Sequence, residues 1–507
     1  MRRSSVRSLW FAQAAVVLAG CGSGCDGERG KPPVEPRPPL DTAAGSAGDL
    51  AVPGPAGAAE PTSRSAGFLD APPGALEPLF RAFDAAERHD PSPNSRALLV
   101  FFGDSHTSGD SMTSRLRVVL QGRFGDAGRG LVAAGRPPAR HYYQRDVRYG
   151  ASGSWKSAVG GNKDPEPFGI AGLRVYGDKK GAQLWVETCA ECKAGTATGQ
   201  LEILYHAAPD RGVLRYRVDE GPWQQLSAKT AAIEPPHPAR HVIPVPDGPH
   251  RLTLEHGGGG MLDLYGVVME RPRPGVIVDS LGVVGRRLVN LRSWDWSVIG
   301  EQLATRDPRL VVLQYGTNES DDPGLDLDAL AQQYDDMIQR IRAAAPTAAI
   351  LILGPPDVGV REGGSACDRL NRAGPEEPKA RTGRGSQMSP TPAPAGAPDA
   401  GVDAGIIPEC QWRTPGILRE IVAVEHAAAV RNRVAFFDTF AAMGGADRMD
   451  GWYMNEPKLA YKDRVHFTDL GYQLWADQLS SALLSAYATW RRTTGQPPLA
   501  APGDRTR

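Results

Sequence analysis

Four short runs of apolar residues restrict the fold of this chain more than any other feature of its sequence. Each run has the length of a β-strand, and they occupy residues 97–102, 310–315, 348–353 and 434–438. A continuous apolar run is typical of a central strand that is covered on both faces by helices. Helical patterns flank these runs, at residues 75–88, 327–345, 415–431 and 468–490. The alternation predicts an α/β fold with a parallel sheet flanked by helices, which binds ligands at the carboxyl ends of its strands.

The hydrophobic pattern changes between residues 136 and 275. Here apolar and polar residues alternate in short segments, for example at residues 183–187, 201–205, 213–218 and 251–254. Turn sequences rich in Asp, Gly and Pro separate them, at residues 209–212, 220–222 and 247–249. Short alternating strands with regular turns predict a β-sandwich. We therefore expect an inserted β-sandwich at residues 136–275, within an α/β domain formed by residues 75–135 and 276–492.

Glycine and proline are in excess, with 59 and 44 among the 507 residues. Much of this excess lies in stretches without apolar periodicity, at residues 21–74, 374–405 and 493–507. Such segments bury too little surface to offset the loss of chain entropy on folding. We predict that they are a disordered tether, a low-complexity insert in the second part of the α/β domain, and a disordered tail.

The charge and hydropathy of the chain exclude two classes of protein. Lys and Arg number 57 against 58 Asp and Glu, for a net charge of −1, whereas nucleic-acid-binding domains usually carry a strong basic excess. The sequence contains no apolar run of the length that spans a bilayer. We therefore expect neither a nucleic-acid partner nor a membrane-spanning segment.

The first residues have the pattern of a secretion signal. Arg2, Arg3 and Arg7 precede a short apolar stretch at residues 9–19. The stretch ends in LAGC at residues 18–21, which resembles the bacterial lipobox and implies a signal peptide at residues 1–20 and lipidation of Cys21. An ordinary cleaved signal followed by an incidental cysteine is the alternative. The resemblance implies export across the inner membrane and contact with a membrane through the lipid anchor only. Gly22 in place of Asp favours the outer membrane, facing the periplasm or the surface, by analogy with other lipoproteins.

The other cysteines would then lie in an oxidising compartment. Cys367 and Cys410 flank the low-complexity insert, so we predict a disulfide that closes its base. Cys189 and Cys192 form a single CxxC motif, for which a local disulfide and a zinc site are the two interpretations. The disulfide is favoured because zinc normally needs a second pair of ligands, and none is nearby in the sequence. Cys25 is left over in the predicted tether, and we expect no metal site.

Two motifs offer the groups that nucleophilic catalysis requires. Gly103-Asp104-Ser105-His106 directly follows the first apolar run, so Ser105 is placed at the ligand-binding edge of the sheet. Asp463 and His466 stand in a DxxH motif before the last helical pattern. A serine hydroxyl needs a general base, and the base needs an acceptor that orients it. Taken alone, each motif has a simpler interpretation, since Gly-Asp and Asp-Ser are common in turns and DxxH suits a helix cap.

Two further positions suit an oxyanion hole. Asn318 follows the second apolar run and Gly316, and its amide is able to donate a hydrogen bond at the same edge of the sheet. Gly285 stands where the α/β pattern resumes, and its backbone N–H is unobstructed by a side chain. Gly282 is an alternative to Gly285, and a plain turn between a strand and a helix is the simpler interpretation of both.

The order of these motifs resembles that of the SGNH (GDSL) hydrolase family. The resemblance implies that Ser105 is the nucleophile, His466 the general base and Asp463 its orienting partner. It also implies an oxyanion hole formed by the backbone N–H groups of Ser105 and Gly285 and the side chain of Asn318. No cofactor is implied.

The sequences GDSHTSGDSMTSRL at residues 103–116 and FGDAGRGLV at residues 124–132, followed by the β-rich insertion, resemble the peptidoglycan O-acetylesterase branch of that family. In that branch a carbohydrate-binding-like β-sandwich interrupts the hydrolase. This resemblance implies an esterase that removes acetyl groups from a cell-wall or other polysaccharide, with peptidoglycan as its substrate. An O-acetyltransferase that uses a sugar hydroxyl in place of water is one alternative. A surface-anchored carbohydrate-binding lipoprotein with a degenerate hydrolase domain is another, and a missing triad residue would indicate it.

Overall fold

The structure is a computed structural model that describes residues 65–138, 142–161, 168–361 and 411–497. All of the described residues belong to one compact unit. The predicted signal peptide and Cys21, most of the predicted tether with Cys25, and the low-complexity insert with Cys367 and Cys410 lie outside the described residues. So do residues 498–507 of the predicted tail.

The described chain alternates helices and strands at both ends and consists of strands in between. The elements up to the end of the β-rich region are β1 (Leu69–Asp70), α1 (Glu77–Glu87), β2 (Arg96–Gly103), α2 (Ser105–Ser108), α3 (Ser111–Phe124), β3 (Gly128–Val132), β4 (Val147–Ala151), β5 (Lys156–Val159), β6 (Leu173–Gly177), β7 (Gln183–Thr188), β8 (Thr198–Ala207), β9 (Val213–Val218), β10 (Gln224–Ser227), β11 (His237–Gly248), β12 (Arg251–Gly258) and β13 (Leu262–Glu270). The elements that follow are β14 (Gly275–Gly282), α4 (Leu288–Ser293), α5 (Trp296–Arg306), β15 (Leu310–Gln314), α6 (Leu327–Ala344), β16 (Ala349–Leu353), β17 (Val360–Arg361), β18 (Trp412–Arg413), α7 (Gly416–Asn432), β19 (Ala435–Phe437), α8 (Thr439–Ala442), α9 (Met449–Met454) and α10 (Asp469–Thr493).

Six strands form the central sheet, in the order β1-β19-β16-β15-β2-β14. All neighbouring pairs are parallel except β1 and β19. In β2, Leu98, Val100 and Phe102 pack on one face of the sheet, with α4 to α7. The residues between them pack on the other face, with α1, α3 and α10. Burial on both faces explains the continuous apolar runs, and it confirms the prediction of a parallel sheet flanked by helices.

The strands from β3 to β13 form two antiparallel sheets. One has the order β10-β9-β12-β7-β4, and the other has the order β11-β8-β13-β6-β5, with β3 also paired to β13. Their facing side chains, including Leu184, Leu254 and Leu264, form a core of their own. The predicted β-sandwich insertion is therefore present in the fold.

Two boundaries differ from those predicted. Leu69 and Asp70 stand in the predicted tether, but they form β1, an edge strand paired to β19; two residues are too few to show a period. β3 lies in the segment assigned to the α/β domain, but it pairs with β13 of the sandwich. Its sequence is rich in glycine because the chains are close together: a Cβ at Gly128 would stand 2.5 Å from the Cα of Glu270. That glycine content hides the alternating pattern of a strand.

The sandwich is fixed to the α/β domain by buried polar contacts. The backbone N–H of Leu131 in β3 donates a hydrogen bond to Oδ1 of Asp279 in β14, at 2.7 Å. The guanidinium of Arg306 contacts the other oxygen of Asp279 at 2.7 Å and also pairs with Glu270 of the sandwich. Of the helices in the described ranges, none combines the length and the apolar composition needed to cross a membrane.

Candidate active site

Ser105 stands at the carboxyl end of the central strand β2. It is the first residue of the short helix α2, and the carboxylate of Asp104 caps this helix by accepting a hydrogen bond from the N–H of His106 at 2.9 Å. Gly103 makes the turn possible, because a Cβ there would lie 2.3 Å from Oγ1 of Thr107. The tight turn directs Ser105 to the edge of the sheet, where it is 8% exposed.

His466 and Asp463 lie next to Ser105, on the turn that precedes α10. Nε2 of His466 stands 2.8 Å from Oγ of Ser105, and Nδ1 stands 2.8 Å from Oδ2 of Asp463. The ionised carboxylate only accepts hydrogen bonds, so Nδ1 carries the proton and Nε2 is left to accept the proton of the serine. The three residues thus form a continuous chain of hydrogen bonds from carboxylate to hydroxyl.

Asp463 is held in its ionised form. Burial raises the pKa of its carboxyl, but the hydrogen bond from the ring of His466 and those from the backbone N–H groups of Val465 and His466 outweigh this and lower the pKa to about 2. At neutral pH this carboxylate therefore fixes the tautomer and the orientation of His466. It also stabilises the positive charge that the ring gains when it accepts a proton.

Asn318 stands after β15, beside the turn that carries Gly285. Its Nδ2 donates to the carbonyl oxygen of Arg286 at 3.1 Å and to Oδ2 of Asp104 at 3.3 Å. The second contact places the amide next to the start of α2 and thus next to Ser105. Both amide hydrogens are engaged, so a substrate oxyanion would have to replace or share one acceptor, and Asp104 is the more distant of the two.

The structure distinguishes between the two glycines considered for the oxyanion hole. A Cβ at Gly282 would lie 2.2 Å from the backbone nitrogen of Ser108 and 2.6 Å from the carbonyl oxygen of Asp104, so Gly282 allows β14 to pack against α2. Around Gly285 the same test finds no atom within 4 Å, and its φ is +68°. An N–H group that faces a substrate needs such open space, which favours Gly285 for that role.

Asp104 also belongs to the site, although no role was predicted for it from the sequence. Burial raises the pKa of its carboxyl to about 7, and the nearby Glu319 adds to this effect, whereas the hydrogen bond from the backbone of His106 opposes it. Its two oxygens connect the start of α2 to the amide of Asn318. The position of Asp104 between a buried strand and the serine was the only sequence signal for this role.

His106 lies behind the site and is fully buried. Its Nδ1 is 3.0 Å from the hydroxyl of Tyr472, and its ring centre is 5.4 Å from that of His466. Burial lowers the pKa of its ring well below the usual range, with His466 as a second cause, so His106 is neutral. It packs against the general base without competing for its proton.

Cys189 and Cys192 are joined by a disulfide in the sandwich. With Glu191 they are the one group in the described ranges whose His, Cys and carboxylate side chains are close enough to share a metal ion. Since both sulfurs take part in the disulfide, they are not thiolate ligands here.

The structure therefore brings Ser105, His466 and Asp463 into contact and places Asn318 and Gly285 beside them. This arrangement suits acyl transfer: a hydroxyl with a general base at its oxygen, a carboxylate that orients the base, and hydrogen-bond donors for a developing oxyanion. The predicted lipidation site Cys21 and the predicted disulfide between Cys367 and Cys410 lie outside the described residues.

Comparison with known proteins supports the same class of chemistry. Residues 256–474 match the model of the GDSL-like Lipase/Acylhydrolase family. The matched range includes Gly285, Asn318, Asp463 and His466. It omits Ser105, which the insertion separates from the rest of the α/β domain. No curated protein matches the chain.

Among solved structures, the chain is similar to a peptidoglycan O-acetylesterase, with 21% sequence identity and a TM-score of 0.61. The similarity covers 83% of this chain and 99% of that one, so the other protein has the same fold over its whole length, insertion included. A family two carbohydrate esterase from Cellvibrio japonicus also matches, with 12% identity, 43% of this chain and 83% of that one covered. Its TM-score is 0.15.

Proposed function

We propose that this chain is a carboxylic ester hydrolase that removes O-acetyl groups from a polysaccharide of the cell wall, with peptidoglycan as its substrate. The proposal starts from the match of residues 256–474 to the model of the GDSL-like Lipase/Acylhydrolase family. The observation that carries the proposal is the chain of hydrogen bonds from Asp463 through His466 to Ser105, with 2.8 Å at each step.

The mechanism follows from this geometry. His466 accepts the hydroxyl proton of Ser105 at Nε2 while the serine oxygen attacks the carbonyl carbon of the ester. The negative charge that develops on the carbonyl oxygen is stabilised by the backbone N–H groups of Ser105 and Gly285 and by the amide of Asn318. His466 then gives the proton to the departing sugar hydroxyl, which leaves an acetyl-enzyme. A water molecule deprotonated by His466 hydrolyses it and releases acetate.

Two observations support a polysaccharide acetyl ester as the substrate. The similar solved structure is that of a peptidoglycan O-acetylesterase, and it extends over both the α/β domain and the sandwich. The surroundings of Ser105 are polar on several sides, with Asp104, Asn318 and His466 in contact or close by. Such a site suits a sugar ester better than a long acyl chain, which needs an apolar channel.

Acetate release from two polymers tests the proposal. We expect the wild type to release acetate from O-acetylated peptidoglycan faster than from O-acetylated xylan, and Ser105→Ala to release none from either at an unchanged melting temperature. The acetate that is removed should be found free in solution. Acetate attached to a second sugar would indicate a transferase instead of a hydrolase. Wild-type turnover by Ser105→Ala would exclude Ser105 as the nucleophile. Faster release of acetate from xylan than from peptidoglycan would exclude peptidoglycan as the preferred substrate.

We also propose that the protein is anchored to the cell envelope by a lipid on Cys21, facing the periplasm or the cell surface. The sequence at residues 18–21 supports this. Labelled fatty acid fed to expressing cells should be incorporated into the wild type but not into Cys21→Ser. Equal incorporation into both would contradict the anchor.

A further inference from the structure

Arg464 lies inside the catalytic turn, between Asp463 and His466, and its conformation is unusual. Its φ is +56°, in the left-handed region that residues with side chains rarely adopt. Its charged side chain is nevertheless buried, and the residue is only 8% exposed. A glycine at this position would avoid the backbone strain, so the presence of arginine indicates that its side chain has a role of its own.

The guanidinium of Arg464 is held between two aromatic rings. Its Cζ lies 3.5 Å from the ring centre of Tyr453 in α9 and 4.6 Å from that of Trp412 in β18. Nε donates to Oδ1 of Asp450 at 3.0 Å, and Nη1 donates to the carbonyl oxygen of Lys462 at 2.8 Å. Stacking on planar rings together with directed hydrogen bonds fixes the orientation of the group in a way that an ammonium group does not.

The backbone of the turn is fixed by the same residue. The carbonyl oxygen of Arg464 accepts a hydrogen bond from the N–H of Gly359 at 2.8 Å, and its own N–H donates to the carbonyl oxygen of Tyr461 at 3.1 Å. Gly359 is close enough that a Cβ there would lie 2.8 Å from the Cβ of Arg464. The turn is thus held by the segment before β17 on one side and by Tyr453 and Asp450 of α9 on the other.

The side chains that perform the chemistry are more exposed than that of Arg464. The side chains of Asp463 and His466 are 47% and 31% exposed, and their turn is outside the sheet. A displacement of about 1 Å between reacting groups lowers a rate about 100-fold. The distance from His466 to Ser105 therefore depends on what holds the turn.

We propose that Arg464 is a positioning residue, which holds Asp463 and His466 at hydrogen-bond distance from Ser105 by binding between Trp412 and Tyr453. This role rests on the proposed esterase function, but it has a readout that does not need the natural substrate. A fluorophosphonate reacts with any serine that a histidine activates, so its rate of reaction with Ser105 reports the alignment directly.

The test uses Arg464→Gly in the full chain, because glycine accepts the left-handed backbone and leaves a space of the shape of the guanidinium. Arg433→Gly is the matched control: Arg433 also has a positive φ, of +52°, but it is the exposed C-cap residue that follows α7. We expect Arg464→Gly to lower kcat for p-nitrophenyl acetate and the rate of fluorophosphonate labelling about 100-fold each, with little change in KM. Arg433→Gly should change neither.

Chemical rescue separates a positioning role from a merely structural one. Methylguanidinium should restore much of the activity and labelling of Arg464→Gly, whereas methylammonium at the same concentration should not, because it cannot stack on the two rings. Arg464→Lys should stay folded and have an activity between those of the wild type and Arg464→Gly. If Arg464→Gly does not fold, the test uses Arg464→Lys instead.

The outcomes distinguish the two proposals. Wild-type labelling and turnover by folded Arg464→Gly, or a loss that methylguanidinium does not restore, would overturn the positioning role. If instead the wild type is labelled at Ser105 in an Arg464-dependent way but releases no acetate from the polymers, the positioning role stands and the proposed substrate fails.

Discussion

At the scale of single residues, the site depends on a contact between distant parts of the chain, because Nε2 of His466 lies 2.8 Å from Oγ of Ser105. Asp463 and His466 are three residues apart, and Ser105 directly follows a buried strand, so their chemistry is visible in short motifs. Asn318 could also be named from its position after a buried strand, but its contacts could not, because its amide is directed by Arg286 and Asp104, which are distant in sequence. The left-handed backbone of Arg464 could not be predicted from the sequence, because an arginine at the second position of DxxH does not indicate a positive φ.

Asn318→Ala tests the oxyanion role. We expect kcat for acetyl ester hydrolysis to fall about 10²–10³-fold, because one donor to the transition state is lost, while KM changes little. Steady-state kinetics measure both constants. Asn94→Ala, at an exposed position before the opposite end of β2, is the control. If KM rose by the factor expected for kcat while kcat itself stayed unchanged, Asn318 would bind the substrate without stabilising the transition state.

At the scale of elements, strands buried on both faces were predicted well, and elements defined by close backbone packing were not. The runs at residues 97–102 and 348–353 correspond to β2 and β16. β3 was misplaced because its glycines allow close packing against β13 and remove the alternating pattern. The choice between Gly282 and Gly285 also stayed open in the sequence, because it depends on the contact of β14 with α2, an element distant along the chain.

Gly282→Ala and Gly285→Ala should therefore differ in their stability and in kcat. The added methyl group at Gly282 collides with the backbone of α2, so we expect a loss of about 1–3 kcal/mol in the free energy of unfolding and a lower kcat, because Ser105 is displaced. At Gly285 the methyl group meets open space and the N–H is retained, so kcat should stay close to that of the wild type, with a loss of about 1 kcal/mol from the positive φ. Denaturant unfolding and kinetics on both variants decide this. If Gly285→Ala lost more stability and more kcat than Gly282→Ala, the assignment of Gly285 to the oxyanion hole would be excluded.

At the scale of the whole molecule, acidic groups are buried beneath the active site. Asp104, Glu319 and Glu425 are each at most 2% exposed. Burial raises the pKa of Glu425 well above the ordinary value of 4.5, and although a hydrogen bond from Tyr334 opposes this, Glu319 and Asp104 add to it. The fold of the sheet could be predicted from apolar runs, but this cluster could not, because its members come together only when β2, β15 and α7 pack.

Glu425→Gln should change how stability depends on pH. In the wild type the folded chain keeps a proton on Glu425 at a pH where the unfolded chain has lost it, so the folded state is destabilised progressively as pH rises above about 4.5. Glutamine removes this dependence. We expect the free energy of unfolding of Glu425→Gln relative to wild type to increase with pH, by up to about 1.4 kcal/mol per pH unit.

Denaturant unfolding between pH 5 and pH 8 measures that dependence, and Glu420→Gln, at an exposed position of the same helix, is the control. A difference between Glu425→Gln and wild type that stays constant over the range would show that Glu425 is ionised in the folded protein.

The pairing of β3 with β13 also has a consequence for how the chain folds. β2 ends at Gly103, but its parallel neighbour β14 begins only at Gly275, so the two are joined by a long loop whose closure costs entropy. The antiparallel pairing of Val132 with Val267 brings the two ends of that loop together. Formation of the sandwich therefore brings the two ends of this loop together and places β14 next to β2. Because β14 follows the sandwich strands in the chain, the pair of β2 and β14 in the central sheet cannot form before the whole insertion has been synthesised.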